Sequence, residues 1–154
     1  MGEGYFLVLA ANFRGADERA KLTLLAEVER RAAELLEPLL KKYDARPRDD
    51  AVLMPLGEAE AKPRLGLGWT ELMTYIADGF QVYVEEFEAL ERLAPPSDIP
   101  ALKRLTLHEV ATIDFATKEI AGEPDGIAPL RHFLAHPIMP RCHAPDRDES
   151  PNRH

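Results

Sequence analysis

The sequence predicts an all-helical bundle, and three observations lead there. Proline removes a backbone donor and clashes with the preceding helical turn, and here it leaves long gaps: none before Pro38, a cluster at Pro95, Pro96 and Pro100, and six from Pro124 to Pro151. The gaps are filled by Ala, Leu, Glu, Lys and Arg, all strong helix formers, with apolar residues recurring at helical spacing. No stretch shows the sustained alternation of a half-buried strand, and Tyr5 to Leu9 is the one short run that also suits an extended segment.

The elements follow in chain order. Met1 to Phe13 holds an apolar run from Tyr5 to Ala11 without the basic residues that precede a signal-peptide core, and reads as a buried lead-in. Ala16 to Tyr43 reads as a long helix, with Asp17 and Glu18 at its start and Lys41 and Lys42 at its end to suit the helix dipole. Pro38 is expected to kink that helix or end it a turn early. Residues 44–68 carry Pro47, Pro55, Pro63, Gly57, Gly66 and Gly68 and read as a long connection, whose length suits a short helix or a functional role within it. A second helix is expected from Trp69 to Ala94. A third is capped by Ser97 or Asp98, tolerates Pro100 in its first turn and stops at Gly122. A short fourth helix spans Ile127 to Ala135. Residues 1–136 form one domain, and 137–154 a polar, proline-rich tail expected to be disordered.

Charge and cysteine narrow the function. The 27 acidic residues outnumber the 19 basic ones, for a net charge of −8 and a pI near 5.1. That disfavours nucleic acid and anionic membranes, both of which need a basic surface. The excess sits on the second helix, where Glu71, Asp78, Glu85, Glu86, Glu88 and Glu91 face one base, Arg92. A single cysteine, Cys142, excludes an intramolecular disulfide and a cysteine metal cluster, so a cytoplasmic location is expected. No apolar stretch approaches the 18 or so residues that would span a bilayer.

Two glutamates sit where apolar residues belong. The stripe of the third helix is Leu102, Leu105, Ile113, Ala116 and Ile120, with Glu109 near its middle. The stripe of the first is Leu22, Leu25, Ala32, Ala33, Leu36, Leu40 and Tyr43, with Glu29 inside it. On the second helix Tyr83 lies on the stripe and Glu86 at its edge, while His108 falls on the flank of the third. A buried carboxylate without partners costs several kcal/mol or shifts its pKa upward, so two on separate helices point to a shared polar site. The plain alternative is a stripe-end residue reaching solvent, or half of a structural ion pair. Other patterns are absent: there is no phosphate-binding glycine loop and no Gly-x-Ser-x-Gly elbow, and His132, His136, Cys142 and His143 have incidental spacing.

The stretch Tyr83-Val84-Glu85-Glu86-Phe87, the Leu93-Ala94-Pro95-Pro96 turn, and His108-Glu109 followed by Asp114-Phe115-Ala116 and Glu119 resemble small members of the ferritin-like superfamily over residues 16–136. The resemblance implies an up-down four-helix bundle in which Glu29 is the first-helix metal ligand and Glu109 belongs to the later helix pair. It departs from the superfamily at one point. The residues three before the five histidines are Leu105, Pro129, Phe133, Pro140 and Pro151, so Glu-x-x-His is missing, and Thr112 stands where Glu109 would need a histidine. A standard di-iron site is therefore not expected; a single carboxylate-held metal or a metal-free site fits better.

The leading expectation is an enzyme acting on a small apolar molecule through inward carboxylates, metal-bound or working as acid and base. Glu29, Glu109, Tyr83 and His108 are the catalytic candidates, and Glu29, Glu86 and Glu109 the candidate metal ligands. Trp69, Phe80, Phe87 and Phe115 are candidate pocket walls. The alternative is a non-catalytic module for homo-oligomerisation or partner binding, using the acidic face of the second helix. A homo-oligomer is expected either way. A shared site requires Glu29 and Glu109 to lie within about 8 Å of each other, since carboxylates cooperating through a water are nearer than about 9.5 Å.

Overall fold

Helices α1 (Gly2–Asn12) and α2 (Ala16–Lys42) fold back on each other, and α1 also packs on α3 (Asp50–Ala61). A 3-10 turn (Lys62–Arg64) leads to α4 (Trp69–Gly79) and α5 (Gln81–Leu93), followed by α6 (Ile99–Ala121) and α7 (Ala128–Ala135). The computed structural model describes residues 1–46 and 48–136, and among them every regular element is helical. The expected disordered tail, with Cys142 and His143, lies outside the described residues.

Helix α6 is the centre of the fold, because α2, α4, α5 and α7 all pack on it. Its own composition explains the position: Leu102, Leu105, Ala111, Thr112, Ile113, Phe115 and Ala116 are buried on several sides of the helix. The core continues through Phe6, Leu9, Leu22, Leu25, Val28, Leu72, Met73, Ile76 and Leu130. Gly122 closes α6 at φ 68°, the left-handed geometry that glycine adopts without strain. Asp98 stands at the N-terminus of α6 as expected, but its carboxylate does not cap the helix. It accepts from Lys42 Nζ, Tyr43 OH and Ser97 Oγ instead, tying the end of α2 to the start of α6.

Two expectations are made definite and two are corrected. The lead-in is a helix, α1, with Tyr5, Phe6, Leu9 and Ala10 buried between α2 and α3. The connection 44–68 contains α3, started by Asp49, whose carboxylate accepts from the Ala51 nitrogen at 3.0 Å. Gly57 is needed in α3 because a side chain there would overlap the Met1 carbonyl and the Tyr5 nitrogen; the two helices cross with backbone against backbone. Helix α2 runs past Pro38 to Lys42. The single helix 69–94 is two, parted at Phe80, so the architecture has more helices than the four expected.

Together α4 and α5 run antiparallel to α6. Trp69 meets Phe115 and Glu119 near one end, and Thr106 donates to Glu91 toward the other. The acidic face is only partly free, since Glu71 accepts from the Gly68 nitrogen at 2.8 Å and Glu91 is held by Thr106. Ile120, expected in the stripe of α6, is exposed. No helix among the described residues is long and apolar enough to cross a membrane.

Candidate carboxylate and histidine site

The middle of α2 faces the middle of α6, and there Glu29, His108 and Glu109 meet. Each offers one ligand-type atom, and these atoms all lie within 4.8 Å of one another. His108 Nε2 is 3.2 Å from Glu109 Oε1 and 3.8 Å from Glu29 Oε1. Glu29 also lies against the first turn of α1, where a side chain on Gly2 would overlap its carboxylate. That is the positive end of a helix dipole.

His108 corrects the sequence reading. It is 3% exposed rather than on a solvent flank, because α6 is covered on more sides than the one its stripe marks. Its ring lies between those of Phe87 and Phe133, with centroids 5.8 and 6.3 Å away. Nδ1 contacts the Leu105 carbonyl oxygen, and Thr112 Oγ1 donates to the His108 carbonyl at 3.0 Å. A carbonyl can only accept, so Nδ1 carries the hydrogen and Nε2 is left facing two carboxylates. A bare Nε2 lone pair there would be repelled by both; the arrangement needs a proton or a cation between them.

The electrostatics agree with that need. Burial alone would lower the His108 pKa, but the hydrogen bond its ring donates to Glu109 and the charge of Glu29 outweigh it, and the ring is held above its ordinary value. Burial pushes the Glu29 carboxyl up, with the Glu109 charge acting in the same direction and His108 opposing it. Glu109 Oε2 is buried and, among the described residues, has no hydrogen-bond partner.

Glu29 and Glu109 open onto a cavity of about 570 Å³ among α1, α2, α3 and α5. Its apolar walls include Phe6, Leu36, Leu53, Phe80, Phe87 and Leu105. Tyr83 lines it too, at 37% exposure, so it stands at the mouth rather than in the core. Burial, then the charge of Glu60, raises the Tyr83 pKa, and the hydroxyl keeps its proton at neutral pH. Tyr5, whose buried hydroxyl has no partner, lines the same space. Sequence reasoning missed it, because only the crossing of α1 and α3 brings it there.

The structure does not bring Glu86 to the cluster; it is exposed on α5. Of the expected pocket walls, Phe80 and Phe87 line the cavity, whereas Trp69 and Phe115 pack on each other elsewhere, 6.4 Å between centroids. His132 and His136 neighbour each other on α7, and among the described residues they join no metal-type cluster. No protein-family model, curated protein or solved structure matches this chain.

Proposed function

We propose that the protein is an enzyme acting on a small, largely apolar molecule in the 570 Å³ cavity, with Glu29, His108 and Glu109 as its working groups around one divalent cation. The observation that carries this is the make-up of the cluster: two carboxylates converge on Nε2 of one histidine, and among the described residues Glu109 Oε2 has no partner. Among the described residues no lysine or arginine pairs with either carboxylate. Two carboxylates and one imidazole neutralise a divalent ion and suit zinc, manganese or ferrous iron. A histidine whose second ring nitrogen is fixed by a backbone carbonyl is the usual form of a metal ligand.

The residues do not fit a two-metal centre. Glu-x-x-His is missing, Glu86 lies on the surface, and three donors suit a single ion. The resemblance to the ferritin-like superfamily thus extends to carboxylates from separate helices meeting inside a bundle and stops at the ligand set. A bound cation would supply a Lewis acid or an acidified water at neutral pH. The chain's own part is to hold the molecule against Phe6, Phe80 and Phe87, exclude water, and offer the Tyr83 hydroxyl at the mouth as an orienting donor. Without the ion, the same three groups hold a proton at Nε2 and can pass it to a molecule in the cavity.

Calorimetric titration with zinc and manganese after chelation tests the reading. One ion should bind per chain with release of a proton from His108, and Glu109→Gln should weaken binding at least 100-fold. Equal, weak binding by both proteins contradicts it.

The non-catalytic reading has one observation of its own: α5 has no fully buried residue, and Leu93 is 84% exposed.

A further inference from the structure

That uncovered face of α5 borders a second space. Between α2 and α5 lies a groove of about 580 Å³, walled by Leu39, Leu40, Leu90, Leu93 and Leu102. Its polar members, Asp98 and Tyr43, are hydrogen-bonded to each other. Helices α2 and α5 both pack on α6 but scarcely on each other, and this is why the groove is open. Three side chains, Leu36, Phe87 and Leu105, line both the groove and the cavity. The two spaces therefore adjoin across an entirely apolar wall: one ends in unpaired carboxylates, the other has nothing to offer a polar group.

We infer that the molecule handled at the Glu29–His108–Glu109 cluster is a single-chain amphiphile, with its polar end in the cavity and a long hydrocarbon chain lying past Leu36, Phe87 and Leu105 in the α2–α5 groove. The inference rests on the proposed small-molecule site and adds the class of molecule. The order of surfaces matches such a molecule from end to end. The orphaned Glu109 Oε2 takes a hydrogen bond from the head group, and the leucines of α2, α5 and α6 take the chain. An uncharged hydroxyl suits a head group beside two carboxylates better than a third anion. A second copy of the chain fits the groove poorly. A two-fold contact sets the same patch of both copies together, so the exposed Glu85, Glu86 and Glu88 of α5 would add like charge from both copies around the contact. A hydrocarbon chain meets no such repulsion.

The test is calorimetric binding of n-alkan-1-ols of six to fourteen carbons, about that range being set by the roughly threefold to fourfold gain per buried methylene that makes the series readable, to the full chain in chelator. Affinity should rise by that factor with each added carbon until the groove is filled. Leu90→Glu, at a position 45% exposed and so tolerant of change, should abolish the gain for the longer alcohols and leave hexanol binding as it was. Leu93→Gln at the outer rim should do the same more weakly. Glu109→Gln should shift the whole series by one factor without altering its slope. Affinity independent of chain length overturns the inference. So does a wild-type dimer that Leu90→Glu dissociates with no alcohol taken up, which would make the groove an interface between copies. Loss of metal binding with an intact chain-length slope would count against the metal centre alone.

Discussion

Two buried carboxylate sites lie along α2 and α6, and they are built in opposite ways. Near one end, Glu119 receives Lys21 Nζ at 2.8 Å and Trp69 Nε1 at 3.1 Å, and Lys21 also pairs with Asp17 at 2.7 Å. Burial would lower the Lys21 pKa, but the bonds to Asp17 and Glu119 raise it, so the lysine is held charged. In the middle, Glu29 and Glu109 share one histidine and, among the described residues, no lysine or arginine, and an oxygen of Glu109 is left over. The first site is closed by its own residues. The second faces a cavity and leaves a carboxylate oxygen without a partner among the described residues, and the proposed function rests on that difference.

The contrast is broken most directly at Lys21. Lys21→Met leaves Glu119 buried with only the indole as partner. It should cost about 2–3 kcal/mol in urea denaturation, less than for a wholly buried pair because Lys21 keeps 20% exposure. A change below about 0.5 kcal/mol would make that site as dispensable as an ordinary surface pair.

The pH dependence separates the sites next. In chelated protein His108 has a folded pKa above its ordinary 6.5, so its contribution is complete below that value and is lost as pH rises through the folded one. Glu29, also pushed up, contributes with the same sign as pH rises out of the ordinary carboxylate range. Asp98 behaves oppositely: the bonds from Lys42 and Tyr43 lower its pKa, so its contribution is present above the ordinary value and lost as pH falls. Stability should therefore decline above pH 6.5, by at most about 1.4 kcal/mol per pH unit per proton. His108→Gln should flatten that decline and leave the loss governed by Asp98 at low pH unchanged; a decline of the same slope in His108→Gln would show that another group is responsible.

Trp69→Phe gives the smallest effect, about 1 kcal/mol for one hydrogen bond to Glu119. The metal affinity of the central cluster should not move. If it does, the two sites are coupled through α6.

These sites were unequally legible in the sequence. Glu29 and Glu109 interrupt apolar stripes, and an interruption can be read on a single helix. The burial of His108 cannot be read that way, because a helical stripe marks one covered face and α6 has neighbours on several. A signal was present: from Leu105 to Ile113 the only charged residue is Glu109, which is unusual for a helix with a wet flank. Helix α3 was hidden by Pro55 and Gly57, residues that weaken a helix in isolation; Gly57 is required only once α1 lies across it. The cavity was illegible for the same reason, since Tyr5 and Gly2 reach it through that crossing. The division at Phe80 carries no proline, but Asp78-Gly79 just before it is a turn dipeptide of weak helix propensity, a local signal that the apolar stripe running through it masked.

The most direct measurement is the urea stability of Glu109→Gln beside Glu119→Gln, both in chelator at pH 7. If the central cluster is kept for function, Glu109→Gln removes one of two negative charges shared by one histidine and should raise stability by about 1 kcal/mol. Glu119→Gln, which weakens a completed pair, should lower it by about 1–2 kcal/mol. Equal losses in the two variants would contradict this and make Glu29, His108 and Glu109 one more structural network.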